Sequence, residues 1–363
     1  MHNKSFFEYL GISDVERIHS QLFAWLFSPD CLAIDSHQKN KLLNSLFKTA
    51  EVGEIKKVFT EVNGIDILVE TSNEIIVIEN KLKSSQHSNQ LFRYKEFSDN
   101  QFPDIPKLYY FLTLTGEKTH NPSWRRMSYQ DMYEQLKELK LNDNQDHSVI
   151  VREYLVFLQR LTTCVKDFMT NPQNYDMVFM DGKKKKIDKI DFEYRTQNER
   201  FIASNQLETI LQKCFLQEIS EGIDSDISYI SDTRGDALID IPIENNIMYN
   251  KRKYSTILQL QQNNIKFAFT IHGEGYGKSK KDWVENAIPI MEKLSVENSY
   301  SYSKLNKPKS KAYVSISKKL PVNYWKMQRA DLINYINEEI TNAKIISGNL
   351  VIEIENHQLV VAI

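Results

Sequence analysis

The chain has 363 residues, with 46 lysines and arginines against 48 aspartates and glutamates, 41% hydrophobic residues and three cysteines. This balance excludes a disordered, collagen-like or disulfide-dense chain, and a formal charge of −2 leaves any affinity for polyanions to a local patch. No run approaches the ~20 apolar residues of a membrane span, and the first residues lack the apolar stretch of a signal peptide. Cys31, Cys164 and Cys214 are far apart and lack metal-ligand spacing, so a reduced, cytoplasmic protein of two domains is expected.

Residues 13–27 carry Val15, Ile18, Leu22, Trp25 and Leu26 at helical spacing between a Ser13 N-cap and Ser28-Pro29-Asp30, which predicts an amphipathic helix. A second helix near 37–50 leads into three β-rich runs, 55–62, 65–70 and 75–81, separated by Asn63-Gly64 and by Thr71–Glu74. Asn-Gly is a strong hairpin signal because both residues accept positive φ. A polar helix at about 84–98, an apolar strand at 107–115 and helices near 128–140 and 147–168 follow.

Periodicity breaks at Asn171-Pro172 and again at Lys183–Lys186, which places a linker at 171–199 between domains of residues 1–170 and 200–363. The second half reads as a helix near 204–221, strands at 226–231, 236–243, 254–262 and 265–272, a helix near 281–294, a strand at 311–318, a helix at 328–342 and a terminal hairpin over 345–363. That order predicts an α+β domain around a mostly antiparallel sheet. His272–Ser279 resembles a phosphate-binding loop but has His where the first glycine belongs, so no nucleotide dependence is expected.

The chemistry concentrates in the meander. Whether the turn at 71–74 has two or four residues, the register puts Asp66 directly across from Glu79, with Cβ atoms ~4.5–5.5 Å apart. Lys81 then shares the face of Glu79 one pleat further on. Glu79 ends a strand whose residues Ile75–Ile78 have no polar face, and a buried acid there costs stability unless it is paired or liganded. A structural Glu/Lys pair competes with a metal site; the coincidence of Asp, Glu and Lys on one face decides for the metal site, with Asp66 and Glu79 on Mg²⁺ and Lys81 serving the attacking water.

These residues, with Glu16-Arg17-Ile18-His19-Ser20 before the meander, Ile78-Glu79-Asn80-Lys81 in it and Gln90-Leu91-Phe92-Arg93-Tyr94 after it, resemble the PD-(D/E)XK nuclease superfamily, and within it a bacterial branch with E-x-x-H-S, I-E-N-K and Q-x-x-x-Y elements. The resemblance covers roughly residues 5–165. The Asp element here is Gly64-Ile65-Asp66 without the proline of the superfamily's name, which removes no ligand.

The resemblance implies an α/β, restriction-endonuclease-like αβββαβ core with a mixed sheet flanked by helices. It implies a Mg²⁺-dependent nuclease, with Mn²⁺ able to substitute, that acts on nucleic acid, DNA before RNA, in bacterial defence against foreign DNA. Asp66 and Glu79 would hold the metal with the Asn80 carbonyl, Lys81 would serve the water, and Glu16 would anchor metal-bound water. Glu16 also has a second reading, as the N3 residue of a capping box on Ser13. Gln90 and Tyr94, at i and i+4, would line the substrate groove. Candidate contacts to the substrate are His19, Arg93, Arg125 and Arg126, the last two in the aromatic-basic segment Trp124-Arg125-Arg126; Glu61, opposite Asp66, has two readings, an accessory acid and, the favoured one, an exposed strand-end acid. The alternative function is a nuclease-fold binding or homo-oligomeric sensor protein with silent or triggered catalysis.

Overall fold

The computed structural model describes residues 4–49, 51–83, 89–117, 119, 121–179, 195–225, 227–233, 235–249, 252–271, 280–297, 302, 304–306 and 313–361. The lysine run 183–186 and the glycine-rich loop 272–279 lie outside the described residues. The chain divides into two compact units, Met1–Thr170 with Asp188–Cys214, and Asn171–Ile187 with Phe215–Ile363.

In the first unit, β1 (Ile55–Val62), β2 (Ile65–Thr71), β3 (Ile75–Lys81), β4 (Lys107–Thr113) and β5 (Trp124–Ser128) form a five-stranded sheet in sequence order. The first three run antiparallel, and β4 and β5 join parallel, so the sheet is mixed. Flanking it are α1 (Phe6–Tyr9), α2 (Glu16–Phe27), α3 (Ser36–Phe47), α4 (Gln90–Gln101), α5 (Tyr129–Leu136), α6 (His147–Thr170) and α7 (Gln197–Ser204). Every residue of β3 is buried, as a central strand covered on both faces requires. Asn63 and Gly64 take φ 51° and 82°, the left-handed pair of a type I′ turn.

Ile75, Val77, Tyr109, Phe111 and Trp124 line one sheet face and pack with Leu91 and Tyr94 of α4. Parallel pairing of β3 and β4 needs a crossover, and α4 supplies it, so its first turn is set over the β3 end that carries Glu79 and Lys81. Strand β5 is absent from the sequence reading. Its five residues, two of them exposed arginines, are too short and too polar for a strand signal, and pairing with β4 makes the strand.

The second unit carries an antiparallel sheet in the order β10-β11-β9-β8-β7-β6, built from β6 (Tyr229–Thr233), β7 (Asp236–Tyr249), β8 (Arg252–Gln261), β9 (Asn264–Ile271), β10 (Lys304–Asn306) and β11 (Tyr313–Lys319). Its helices are α9 (Lys280–Glu297) and α10 (Arg329–Val361), while α8 (Glu208–Ser220) begins among residues of the first unit. The expected terminal hairpin is overturned: α10 runs unbroken through it to Val361. Ser347-Gly348-Asn349 imitates a turn between β-branched runs, yet Leu332, Ile336, Ile340, Ala343, Ile346, Leu350 and Ile354 are all buried at three- and four-residue spacing. One apolar stripe of that length outweighs the ~1 kcal/mol that an interior glycine costs a helix. Among the described residues, no helix is long and apolar enough to cross a membrane.

Candidate active site

The β2–β3 register pairs Ile67 with Ile78 and Leu68 with Val77, and its continuation sets Asp66 across from Glu79. The Asn80 backbone N–H donates to Asp66 Oδ2 at 2.8 Å, fixing that carboxylate at the strand end. Lys81 Nζ lies 2.6 Å from Glu79 Oε1, 3.4 Å from Glu16 Oε1 and 3.9 Å from Asp66 Oδ2, so one ammonium serves three carboxylates.

Glu16 does not cap its helix. The N-cap of α2 is Val15, which supplies no side-chain bond, and the Ser13 hydroxyl donates to Asn205 instead. The capping-box reading therefore fails, and Glu16 Oε2 accepts the backbone N–H groups of Leu82 (2.8 Å) and Lys83 (3.3 Å) just beyond β3. Lys83 adds a second clasp between these segments, donating to Asp14 Oδ2 at 2.6 Å. Helix α2 is thereby fastened to the end of the strand that carries the acids.

Gln90 and Tyr94 reach the same cluster from α4. Gln90 Nε2 donates to Glu79 Oε1 at 2.8 Å and to the Tyr94 hydroxyl at 2.6 Å. A Cβ on Gly64 would lie 3.1 Å from that hydroxyl, so the type I′ turn and Tyr94 close on each other.

The electrostatics follow from this packing. Glu79 is fully buried; desolvation first, then repulsion from Asp66, pushes its carboxyl up to about 8, against the attraction of Lys81. Burial also raises Asp66, opposed by Lys81 and the Asn80 N–H. Burial would lower Lys81, but Glu79, Asp66 and Glu16 together carry it above its ordinary value, so it stays an ammonium. Glu79 Oε2 is buried and has no hydrogen-bond partner of good geometry, which leaves it as a hard oxygen donor beside the Asp66 carboxyl.

Several expected contacts are placed elsewhere. His19 is buried, with Nδ1 2.8 Å from the Tyr154 hydroxyl and Nε2 3.0 Å from the Ser13 carbonyl. Burial lowers its pKa to about 4, and both ring nitrogens are committed, so this histidine is part of the core and not a substrate contact. Arg125 pairs with Tyr110 in the β4–β5 register and donates to its hydroxyl at 3.2 Å, which puts it on the sheet face opposite the acids. Arg126 lies in one row with Phe111 and Glu79, two strands away or ~10 Å, on the acids' face. Arg93 and Glu61 are exposed.

The Asn80 side chain points away from the acids. Its Nδ2 donates to Ser20 Oγ at 3.0 Å and to the Glu16 carbonyl at 3.4 Å, while Oδ1 accepts from the Tyr129 hydroxyl at 2.9 Å. Only the backbone carbonyl of Asn80 is left as a donor toward a metal. Ser20 and Tyr129 are supporting residues that the sequence reading passed over: Ser20 stands in the quoted E-x-x-H-S element, and Tyr129 has no local signal.

Among the described residues, no three His, Cys, Asp or Glu side chains are grouped to hold a metal by themselves. Two carboxylates with one orphaned oxygen do fit a small hard cation that keeps several waters in its shell, the habit of Mg²⁺.

A mixed five-stranded sheet with flanking helices, its acids and lysine on adjacent central strands, is a restriction-endonuclease-like α/β fold, joined here to a second sheet unit. Residues 4–159 match the family model of the PD-(D/E)XK nuclease superfamily. Its members are generally nucleases that use divalent metals on nucleic acid. No curated protein and no solved structure matches the chain.

Proposed function

We propose that the first unit hydrolyses phosphodiester bonds of nucleic acid, DNA in preference to RNA, with Mg²⁺ as cofactor and Mn²⁺ as substitute. The observation that carries this reading is Glu79, a buried carboxylate held beside Asp66 and Lys81 with one oxygen unpartnered. Asp66, Glu79 and the Asn80 backbone carbonyl are the residues to hold the metal, which when bound supplies Lewis-acid polarisation of the phosphoryl group and a more acidic water.

The chain's own groups do the rest. Lys81, kept protonated by its three acids, is a positioning cation: it orients the water for in-line attack and meets negative charge building on the phosphoryl oxygens. As the water–phosphorus bond forms, the water gives up a proton to solvent, the phosphorus–oxygen bond to the leaving nucleotide breaks, and the leaving oxygen takes up a proton from solvent. Glu16 holds the loop after β3 in place, Gln90 fixes the orientation of Glu79, and Tyr94 borders the groove. Arg126 and Arg93 are the cations left to contact the phosphate backbone. The likeness to a bacterial branch supports a cytoplasmic role in defence against foreign DNA.

The test is incubation of the purified protein and Glu79→Ala with plasmid, linear and single-stranded DNA and with RNA, each with Mg²⁺, Mn²⁺ or EDTA. Metal-dependent cleavage, absent in Glu79→Ala while nucleic-acid binding persists, is the expected result. Cleavage by Glu79→Ala at the wild-type rate would sink the assignment. No cleavage by either folded protein would shift the reading to a silent binder or a triggered effector.

A further inference from the structure

The second unit carries a surface that the nuclease reading leaves unused. Along α10 the exposed residues Glu338, Thr341, Ile345, Gly348, Ile352 and Glu355 recur at alternating spacings of three and four, which makes one straight seam on the helix. Ile345 and Ile352 are 46% and 55% exposed, and a Cβ on Gly348 between them would meet nothing within 4 Å. Beside Gly348 runs a groove of about 390 Å³, lined by Ser347 and Val351 of α10 and by Ile243, Ile247 and Met248 of β7. Strand β7 bulges twice along this stretch, and Met248 at the groove is 53% exposed.

The charges that flank Gly348 and Ile352 along the helix say what covers this face. Lys344 and Glu355 also line the groove, and neither forms an ion pair among the described residues. They stand at nearly equal distances along the helix on either side of Leu350. A second α10 laid antiparallel, with a two-fold axis near Leu350, sets each Ile352 over the partner subunit's Gly348 and each Lys344 beside the partner subunit's Glu355. A parallel pairing would instead oppose Glu338 and Glu355 to their own copies. Apolar knobs over a glycine, with a cation and an anion exchanged by the two-fold, form a self-complementary, isologous contact.

We propose that this face of α10 is a homodimer interface, in which Ile352 of each chain enters the groove over the other chain's Gly348 and Lys344 pairs with Glu355. It rests on the second unit alone and stands apart from the nuclease reading.

Sedimentation velocity on the full chain, from about 1 to 100 μM, reads the assembly, with circular dichroism to establish that each variant is folded. Wild type should pass from monomer to dimer across this range. Ile352→Glu, a change at an exposed position, should be monomeric throughout. Lys344→Glu should weaken the dimer about tenfold or more, since each of two pairs becomes a like-charge contact, and Lys344→Glu/Glu355→Lys should restore it to within about threefold. A wild-type monomer at the highest concentration, a dimer indifferent to Ile352→Glu, or a double swap no stronger than Lys344→Glu alone would each overturn the proposal.

Discussion

Asn80 shows how one residue in a catalytic-looking motif divides its work. Its backbone lies between Glu79 and Lys81, so period-2 alternation turns its side chain to the other sheet face, where it joins Ser20 and Tyr129. Asn80→Ala leaves a fully buried tyrosine hydroxyl without its acceptor, and should cost about 2–3 kcal/mol in urea unfolding. A loss under about 0.5 kcal/mol would mean that the network closes without it. His19 yields a pH dependence with a definite sign. The unfolded chain protonates this ring from about pH 6.5 downward, whereas the folded chain resists until about 4. Between these values the unfolded state holds more protons, so stability should fall as pH falls, by up to about 3 kcal/mol for this group. The loss in unfolding free energy between pH 7 and pH 5 should therefore be larger in wild type than in His19→Gln, and equal losses would remove the claim.

The element that most constrains the site is the β1–β2 hairpin. Its type I′ turn starts β2 at Ile65, one residue before Asp66, and packs against Tyr94, while the turn at 71–74 sets the β2–β3 register that puts Asp66 opposite Glu79. Gly64→Ala meets two obstacles, φ of 82° and a Tyr94 hydroxyl 3.1 Å from the new Cβ. It should destabilise by about 1–2 kcal/mol and also lower cleavage, because Tyr94 and Gln90 hold Glu79 together. Thermal melts and a cleavage assay on the same preparation separate the two effects; a variant as stable and active as wild type would show that the turn sets neither. The register of this meander was legible because turn chemistry and alternation are local. The entry to α2 was not: Ser-x-x-Glu is a sound local cap, and it lost to Leu82 and Lys83, which lie more than sixty residues away and offered Glu16 two N–H donors.

At the scale of the molecule, each sheet closes a core of its own, one around Val77 and Phe111 and one around Phe267, Val314 and Ile346. Two such units should give a calorimetric unfolding whose van't Hoff enthalpy falls below the measured enthalpy, and Leu350→Ala should shift only part of the transition. A single two-state peak in wild type would mean that the two cores melt together.

What the sequence by itself determined is what short-range physics can encode: the meander, its turns, the opposition of Asp66 and Glu79, and the stripe of Gln90 and Tyr94. These depend on side-chain alternation and on residues that accept positive φ, both readable within a few positions. Tertiary structure alone decided which neighbours those groups meet. It buried His19 between Tyr154 and Phe157, turned Arg125 to the far face, drew Trp124–Ser128 into the sheet as an edge strand, and kept residues 345–361 helical because their apolar stripe had a sheet to cover. Burial and pairing across long stretches of chain are free-energy differences between whole arrangements, and no local window of sequence contains both partners.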